Sequence, residues 1–403
     1  MVRVLHIGKF YPPFAGGIEN FMGDLLPALE QLGVRTAALV HSHAHAPVHA
    51  RRRGGEIHPF RAAPAAPGTP PVWRTPCLGR LLYTPVSPRF PLWLHAICKE
   101  WQPDLLHIHM PNPSGFWAML LPRTRRLPRV VHWHADVVAS RLDRRLVPAY
   151  RLYRPFEQRL LAGSRRIIAT SPPYLAASEP LAPWRSKCEI VPLGLDPATL
   201  PDPDPTARRR ADSFWPERGL KILAVGRLTY YKGYEVLFHA LATLPEGHLC
   251  LVGEGEGRAG LEKLRSALHL EKRVTLLGPQ PAAVRNGLLA SCDLLCLPSI
   301  ERTEAFGLVL LEAMRYGRPV IASDLAGSGV GWVVQDDRTG RLVKPGDPDG
   351  LAAALRLLAD NPEQRRAMGQ AGAARFHEHF HIHQVARRIK TIYGDVIAPT
   401  GDL

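Results

Sequence analysis

Two charged residues in the second half of the chain have a spacing at which they could flank a diphosphate. Arg227 and Lys232 stand five residues apart in the segment Gly226–Gly233, between a predicted strand and a predicted helix. Two cations fixed on such a loop can flank a diphosphate and stabilise the negative charge that develops when it leaves a sugar. Two solvated surface cations would show the same spacing, so this motif taken alone leaves both interpretations open.

A second segment combines two carboxylates with a predicted helix start. Glu304 and Glu312 are eight residues apart, which on one helix offsets them by about 80°. If Glu304 precedes the helix, it could contact a sugar while Glu312 accepts hydrogen bonds from ribose hydroxyls. The N–H groups of Phe306, Gly307 and Leu308 would then face phosphates at the helix N-terminus. A helix-terminal carboxylate followed by an ordinary helical Glu would fit the spacing equally well.

A glycine-bearing loop follows the first predicted strand. It contains Gly16 and Gly17, with Glu19 two residues later. Glycine lets the backbone approach a ligand, and the free N–H groups of the helix that follows attract an anion. A plain tight turn is the alternative interpretation.

Two His-x-His pairs stand at predicted strand ends: His107 with His109, and His132 with His134. Residues i and i+2 of a strand share a face, so these imidazoles could ligate zinc, with Asp136 as a further ligand. Histidines that are satisfied within the core or that contact a substrate are favoured over a metal site.

A third glycine pattern resembles a dinucleotide fingerprint without completing it. Gly255, Gly257 and Gly260 follow a predicted strand, but Thr275–Gln280, where the acidic partner would stand, contains no carboxylate. The pattern favours a turn near a nucleotide over a nicotinamide site.

Two successive runs of alternating strands and helices position these segments, as in parallel α/β folds. The strands predicted in the first half are Val2–Gly8, Arg35–Val40, Leu105–His109, Val130–His134, Arg166–Thr170 and Glu189–Pro192. Those predicted in the second half are Lys221–Val225, His248–Val252, Val274–Leu277, Leu294–Leu297 and Pro319–Ala322. Pro59–Pro91 predicts a long irregular segment, Pro192–Pro205 a linker and Gln384–Ile397 a last helix. We predict an α/β chain with two doubly wound domains, 1–195 and 196–380, and a C-terminal helix within 381–403.

Positive charge is concentrated in the first half of the chain. The net charge is +15; residues 1–195 hold 25 Lys and Arg against 11 Asp and Glu, and residues 196–403 hold 26 against 25. Such an excess attracts a polyanion, either nucleic acid or an anionic membrane surface. An Arg-rich composition that reflects GC-rich coding, or a solvated basic surface, would explain it as well. Candidate membrane contacts are Arg51–Arg53, Arg123–Arg129, Arg141–Arg145, Trp73 and Trp93.

Cysteine usage and the first residues indicate a cytoplasmic protein. The six cysteines show no paired framework, which suits a reducing compartment. The start of the chain predicts a strand and not a secretory leader, and no apolar run reaches about 18 residues. A peripheral place at the inner face of the membrane is a further expectation.

Taken together, four ordered signals resemble the family 4 retaining glycosyltransferases of the GT-B fold. They are the Gly-Gly-x-Glu loop (Gly16, Gly17, Glu19), the Gly-Arg…Lys-Gly loop (Gly226, Arg227, Lys232, Gly233), the Glu-x7-Glu segment (Glu304, Glu312) and a late loop at Thr339–Asp347. The resemblance spans nearly the whole chain. The segments HWHADVV, SPPYLAAS and IVPLGLD further resemble bacterial members that build O-antigen and exopolysaccharide. The stretch GSGVGWVVQDDRTG resembles mannosyl- and rhamnosyltransferases among them.

This resemblance implies two Rossmann-like domains that face a central cleft, with the donor held by the second domain. Arg227 and Lys232 would bind the donor diphosphate. Glu304 would contact the sugar hydroxyls and Glu312 the ribose. The last helix would cross back to the first domain.

The first domain would act on the same donor. The resemblance implies that Gly16 and Gly17 approach it from that side. His134 matches the family's active-site histidine near the sugar, and Asp136 is its neighbour. No metal and no cofactor are expected beyond a nucleotide-diphosphate sugar, linked to GDP or UDP.

The resulting hypothesis is a retaining hexosyltransferase without a protein nucleophile. It would move a hexose, with mannose and rhamnose as candidates, to a glycan or lipid-linked acceptor in lipopolysaccharide or other cell-surface polysaccharide synthesis. Nucleic acid is not expected as a partner. The alternatives are a GT-B-like nucleotide-sugar epimerase or phosphorylase, a metal hydrolase that uses the His-x-His pairs, and a non-catalytic binding module.

Overall fold

The computed structural model describes residues 1–14, 16–42, 69–82, 84–137 and 146–398. The basic runs Arg51–Arg53 and Arg141–Arg145, and the part of Pro59–Pro91 before residue 69, lie outside the described residues.

Strands and helices alternate along most of the chain, as the apolar runs predict. The strands are β1 (Arg3–Ile7), β2 (Arg35–His41), β3 (Val72–Thr75), β4 (Gly79–Leu81), β5 (Thr84–Val86), β6 (Leu105–Met110), β7 (Arg129–Trp133), β8 (Arg166–Ala169), β9 (Cys188–Ile190), β10 (Leu220–Val225), β11 (Gly247–Val252), β12 (Val274–Gly278), β13 (Leu294–Leu297), β14 (Val320–Ser323) and β15 (Gly340–Val343). The helices are α1 (Gly17–Gln31), α2 (Phe90–Glu100), α3 (Trp117–Leu120), α4 (Leu146–Ala162), α5 (Pro172–Ala177), α6 (Pro205–Asp212), α7 (Tyr234–Ala242), α8 (Arg258–Ala267), α9 (Ala282–Ser291), α10 (Leu308–Arg315), α11 (Val330–Val333), α12 (Pro348–Asp360), α13 (Pro362–Arg375) and α14 (Ile382–Ile397).

These elements form two compact units. The first comprises the described residues of Met1–Thr170, Ser178–Gly194 and Ile382–Leu403, and the second comprises Ser171–Ala177 and Leu195–His381. The sequence placed the break between residues 195 and 196 and gave α5 to the first domain. In the structure α5 belongs to the second unit, because Tyr174 lies under the guanidinium of Arg302, 4.7 Å from it.

The first unit is built on a parallel sheet in the order β3-β2-β1-β6-β7-β8-β9. Helices cover such sheets on both faces, so the central strands are apolar runs without alternation; β6 is buried throughout. Helices α1 and α14 pack against each other in this unit. The strand order reverses at β1, between β2 and β6, and α/β sheets bind ligands beyond the carboxyl ends of strands at such a point.

The second unit repeats the architecture in the order β12-β11-β10-β13-β14-β15, again parallel. Its core is formed by leucine-rich strands packed under α7 and α12. Here the order reverses at β10, between β11 and β13. The loops that follow β10 and β13 therefore leave the sheet side by side, and both contain residues singled out above.

Every strand predicted from the sequence is confirmed to within two residues, and the last helix, predicted at Gln384–Ile397, is α14. The described end of Pro59–Pro91 departs from the irregular segment expected, because it contains β3, β4 and β5. Trp73 in β3 is a core residue, only 7% exposed, and contacts Trp101, so it does not meet a membrane surface as the sequence had suggested. Among the described residues, no helix combines the length and apolar content that crossing a membrane requires.

Candidate active site

The loop after β10 is shaped by two glycines with positive φ. Gly226, at φ +155°, leaves the strand, and Gly233, at φ +67°, ends a short 3-10 turn over Tyr230–Lys232 and begins α7. A Cβ at position 233 would lie 2.0 Å from the carbonyl oxygen of Pro298, in the loop after β13. Only glycine allows the two loops to approach so closely, and this approach brings Lys232 toward the segment that contains Glu304.

Lys232 and Glu304 form an ion pair that joins the two predicted motifs. Nζ of Lys232 lies 2.6 Å from Oε2 of Glu304, and the side chains are 12% and 11% exposed. Oγ of Ser299 also donates to Oε2 of Glu304, at 3.2 Å. Burial alone would lower the pKa of Lys232, but the charge of Glu304 outweighs it and the net pKa is raised. Lys232 is therefore a fixed cation.

Arg227 is the second cation of this loop and differs from Lys232 in its surroundings. Its side chain is exposed, and it forms no hydrogen bond or ion pair with the described residues. Burial alone would raise the pKa of Glu256, but the pKa is lowered, and the positive charge of Arg227 contributes to that lowering. Arg227 thus offers a guanidinium whose donors are available to a ligand.

The start of α10 presents backbone N–H groups beside Glu304. Gly307 caps the helix at φ +79°, and Phe306, which precedes it, is buried against Trp332 and Phe380. No backbone acceptor among the described residues receives the N–H of Phe306, Gly307 or Leu308. Unpaired N–H groups at a helix N-terminus bind anions.

Glu312 lies one turn into α10 and is buried. Burial raises the pKa of its carboxyl, and Arg285 of α9, whose Nε is 4.0 Å from Oε2, opposes that shift. The sequence did not single out Arg285, which stands mid-helix in no recognisable motif.

The Gly255–Gly260 pattern has a local structural role. A Cβ at Gly255 would lie 2.4 Å from the carbonyl oxygen of Leu228, and the N–H of Gly257 donates to the same oxygen at 2.8 Å. These two glycines therefore let the loop after β11 pack on the loop that carries Arg227. Gly260 has open space around it.

In the first unit, the glycine loop begins α1 and lies under a buried carboxylate. Gly16 caps α1, and a Cβ there would lie 2.2 Å from Oε2 of Glu19. Burial raises the pKa of Glu19, while Lys9 and Arg80 oppose the shift. Burial likewise lowers the pKa of Lys9, and Glu19 opposes it. Gly16 thus allows the carboxylate to fold back over the helix start; the sequence missed Lys9 as its counter-charge.

The two His-x-His pairs meet on one face of the first sheet. His109 of β6 is registered with His132 of β7, and His6 of β1 with His107 of β6, so the strands place these rings side by side. All of them are buried, as is His134, which follows β7. The sequence did not single out His6, although a histidine inside an apolar strand was a signal available for it.

His134 and Asp136 have different surroundings. Nε2 of His134 shares a 2.9 Å hydrogen bond with Nδ1 of His109, and burial lowers the pKa of His134 to about 3. Asp136 accepts hydrogen bonds from Nε1 of Trp133, at 2.8 Å, and from Oγ of Ser178, at 2.7 Å. The carboxylate of Asp136 thus fixes the turn that follows His134.

Two family models together match most of the chain. The model described as glycosyl transferases group 1 matches residues 206–375, and that of the glycosyl transferase 4-like domain matches residues 16–194. The D-rhamnosyltransferase WbpZ of Pseudomonas aeruginosa is 30% identical over 384 residues, covering 94% of this chain and 92% of that protein. The O-antigen chain mannosyltransferase C of Escherichia coli is 29% identical over 387 residues, covering 94% of each.

The chain belongs to the glycosyl transferases group 1 family.

Solved structures agree on the fold of this glycosyltransferase. Sucrose-phosphate synthase from Thermosynechococcus elongatus superposes with a TM-score of 0.80 at 24% identity, over 99% of this chain and 100% of that one. HepE of Anabaena, in complex with UDP, superposes with a TM-score of 0.74 at 18% identity, over 98% and 100%. The expected GT-B fold with two Rossmann-like domains is confirmed. The epimerase, phosphorylase and metal hydrolase interpretations are not favoured, since the relatives named above are transferases.

The structure of the glycosyltransferase also adds residues that the motifs did not contain. Tyr230 donates a 2.6 Å hydrogen bond to Glu301, which braces the loop after β10 against the segment before α10. Tyr393 of α14 contacts His107. Nothing in the spacing of these residues pointed to the site, because each is brought there by packing.

Proposed function

We propose that this glycosyltransferase moves a hexose, mannose or rhamnose, from a nucleotide-diphosphate sugar to a glycan or lipid-linked acceptor in cell-surface polysaccharide synthesis. The names of the two relatives that span nearly the whole chain support this substrate class. The observation that carries the assignment of the site is the ion pair between Lys232 and Glu304, since it joins the two segments on which the hypothesis depends.

The donor diphosphate is bound by two cations and a helix start. Lys232 is buried and held charged, Arg227 is exposed, and the N–H groups of 306–308 have no backbone acceptor. Together they offer charge and fixed donors to the pyrophosphate, with little reorganisation when negative charge develops on it.

Glu304 contacts the hydroxyls of the donor sugar, and Glu312 those of the ribose. Oε2 of Glu304 is engaged by Lys232 and Ser299, so Oε1 is the oxygen that remains for the sugar. Arg285 beside Glu312 supports its ionised form.

His134, Gly16 and Gly17 act on the sugar side of the donor. His134 presents Nδ1, which has no partner among the described residues, while its Nε2 is held by His109. Gly16 and Gly17 leave the start of α1 without side chains. We assign Asp136 a positioning role, because it accepts hydrogen bonds from Trp133 and Ser178 and so holds the turn after His134.

Transfer proceeds with retention at the anomeric carbon. The bond between C1 and the diphosphate oxygen breaks to give an oxocarbenium-like state, and the acceptor hydroxyl attacks C1 from the same face. The hydroxyl proton passes to an oxygen of the departing diphosphate. Of the carboxylates in the second unit, Glu304 is paired with a buried cation, so it is not a free nucleophile of the kind retaining glycosidases use.

A donor screen tests this proposal. Thermal unfolding is measured with GDP-, UDP- and ADP-linked sugars, and the sugar that stabilises the protein is then supplied with candidate acceptors. We expect GDP- or UDP-mannose or -rhamnose to stabilise it, and NMR of the product to show the anomeric configuration of the donor. An inverted product would exclude the same-face mechanism, and stabilisation by no nucleotide sugar would exclude the donor site.

We further propose that the first unit docks on an anionic membrane surface. Trp117, Leu120, Leu152 and Phe156 are 37%, 52%, 78% and 48% exposed, and the ring of Phe116 connects α3 to Phe156 at 5.8 Å. Exposed arginines at positions 123, 125 and 126 flank them. We call these seven exposed residues the apolar–basic surface; apolar insertion combined with basic residues is the chemistry of peripheral attachment.

A further inference from the structure

Five imidazoles and one phenol in the first unit are joined by consecutive hydrogen bonds into one unbranched chain. Its members, here called the histidine chain, are in order His134, His109, His6, Tyr393, His107 and His132. Successive polar atoms lie 2.9, 3.1, 3.5, 2.5 and 3.3 Å apart. Each inner histidine uses one ring nitrogen for each neighbour, so the chain has no branch.

The two ends of the chain are nitrogens without a partner. Nδ1 of His134 and Nε2 of His132 are buried and form no hydrogen bond with the described residues. The edge of the Phe21 ring lies near both end residues, with its centroid 5.2 Å from that of His132 and 5.8 Å from that of His134.

Proton counting couples these two ends. A neutral imidazole has one N–H and one bare nitrogen, and a phenol donates once. Each hydrogen bond in the histidine chain uses one proton, which one of its two partners donates. Because each neutral ring has a single N–H, the donor of one hydrogen bond determines the donor of the next. Only two arrangements satisfy every link: the remaining proton lies either on Nδ1 of His134 or on Nε2 of His132. Burial lowers the pKa of every histidine in the chain, so all are neutral near pH 7.

A ligand at one end selects between the two arrangements. A buried N–H without an acceptor is rarer, and therefore costlier, than an acceptor without a donor. Both end nitrogens are buried without a partner, so an N–H at either end lacks an acceptor in the protein alone. Under the proposed function, a hydroxyl oxygen of the donor sugar supplies that acceptor to Nδ1 of His134, and Nε2 of His132 gains none. With the donor bound, the favoured arrangement leaves Nε2 of His132 bare and places the proton on Nδ1 of His134.

We propose that His109, backed by His6 and Tyr393, is a positioning residue that holds His134 in the tautomer protonated on Nδ1. The inference rests on the proposed function, in which His134 contacts the donor sugar. His134 then presents a fixed N–H to a sugar hydroxyl or to the departing oxygen, and no tautomer change is needed during transfer.

A metal site would use the same nitrogens differently. Zinc requires the lone pairs of several rings to converge on one point. The rings are instead stacked close to parallel, with 15° between the planes of the linked rings His109 and His134, and also 15° between those of His107 and His132. Two histidine triplets have nitrogens within 4.8 Å of one another, but an ion would have to replace links of the chain.

Long-range ¹H–¹⁵N NMR of the full chain with labelled histidine tests the inference, because protonated and bare ring nitrogens differ widely in ¹⁵N shift. With the nucleotide sugar that stabilises the protein in the thermal screen, we expect Nδ1–H on His134, His109, His6, His107 and His132, assigned by single His→Gln variants. A spectrum with Nε2–H on His134 would overturn the proposal. So would one stoichiometric zinc ion that shifts these signals when zinc is added.

Variants at two positions separate the roles of chain members. Tyr393→Phe divides the histidine chain while keeping its ring. With the donor bound, His134 should keep Nδ1–H, because the sugar supplies an acceptor there and the new end at Nε2 of His6 has none. His107 and His132 should become mixed. His109→Leu removes the donor to Nε2 of His134 and should lower kcat about 100-fold at nearly constant KM. His109→Gln, which keeps one donor and one acceptor, should restore the tautomer and most of the rate.

The two proposals fail in distinguishable ways. If His134→Leu transfers sugar at the wild-type rate while the tautomer is as expected, His134 does not touch the donor and the proposed function loses this residue. If His134→Leu is inactive but His109→Leu keeps both the Nδ1–H signal and kcat, the positioning role of His109 is wrong.

Discussion

Nζ of Lys232 donates a 2.6 Å hydrogen bond to Oε2 of Glu304, across 72 residues of sequence. Both side chains are nearly dehydrated, so each depends on the other for its charge to be tolerated. The pair connects the loop after β10 to the start of α10. The positively charged loop and the carboxylate assigned to the sugar are therefore one structural unit.

Removal of either partner alone should destabilise the protein. Lys232→Met leaves the Glu304 carboxylate buried without its partner, and Glu304→Gln leaves the Lys232 ammonium buried without its partner. Each substitution should lower the free energy of unfolding by about 3 kcal/mol. The double variant should recover most of that loss, because no buried charge remains, yet stay inactive. Thermal unfolding and initial transfer rates measure both effects. If the double variant lost as much unfolding free energy as the two single variants together, Lys232 and Glu304 would not be energetically coupled.

Arg227→Ala should reduce transfer without changing stability. The side chain is exposed and has no partner among the described residues, so the midpoint of thermal unfolding should not change. Loss of one fixed donor to the diphosphate should lower kcat/KM by about 100-fold. Lys263→Ala removes another exposed cation from the same unit and is the matched control. Equal rates for the two variants would remove Arg227 from the diphosphate site.

Gly233→Ala should disrupt the loop that carries the cations. A Cβ would lie 2.0 Å from the carbonyl oxygen of Pro298, and φ is +67°, so backbone must move. We expect at least a tenfold loss of transfer with a lower thermal midpoint, as expected for strain at such a φ. Gly260→Ala, which meets open space at an ordinary φ, should behave as wild type. Normal activity of Gly233→Ala would show that the close approach of the loops is dispensable.

Glu157 should make the protein less stable as the pH rises. It is fully buried, its Oε1 has no partner, and burial raises its pKa from 4.5 to about 7. Below pH 4.5 the group is protonated in both the folded and the unfolded chain. Between pH 4.5 and 7 only the unfolded chain loses the proton, so stability falls, by on the order of 3 kcal/mol above pH 7.

Glu157→Gln checks this pH dependence. The neutral amide removes the penalty, so the thermal midpoint should rise by several degrees over wild type at pH 8 and by little at pH 4.5. Glu100→Gln, at an exposed position, is the control for loss of a carboxylate. A gain that is equal at both pH values would point to packing and not to ionisation.

Removal of charge from the apolar–basic surface should weaken membrane binding. Arg125→Ser with Arg126→Ser should reduce association with vesicles that contain phosphatidylserine by about 30-fold, since each basic residue near an anionic surface contributes about 1 kcal/mol. Lys263→Ser with Lys272→Ser removes the same charge from the second unit and should have little effect. Sedimentation with vesicles of varied anionic content measures it. Binding that does not depend on the fraction of anionic lipid in the vesicles would contradict the docking proposal.

Much of the fold could be predicted from the sequence, because the patterns that predict strands and loops are local in the chain. Strands such as β6 and β10 are short apolar runs, and parallel sheets buried on both faces require such runs. The glycines at 226, 233 and 307 could be read as loop residues, and the structure gives each a positive φ. Strands β3, β4 and β5 were missed because Pro59–Pro91 carries no clear period.

The sequence by itself determined the family, the two Rossmann-like domains and the segments that contain Arg227, Lys232 and Glu304, because motif residues are contiguous and their order is preserved in the chain. Only the tertiary structure decided which of these groups meet. The 2.6 Å pairing of Lys232 with Glu304 depends on the reversal of strand order at β10, and the link between Tyr393 and the histidines depends on α14 returning to the first sheet. Such contacts join residues far apart in the chain, and their distances are set by packing, which no local pattern of residue types records.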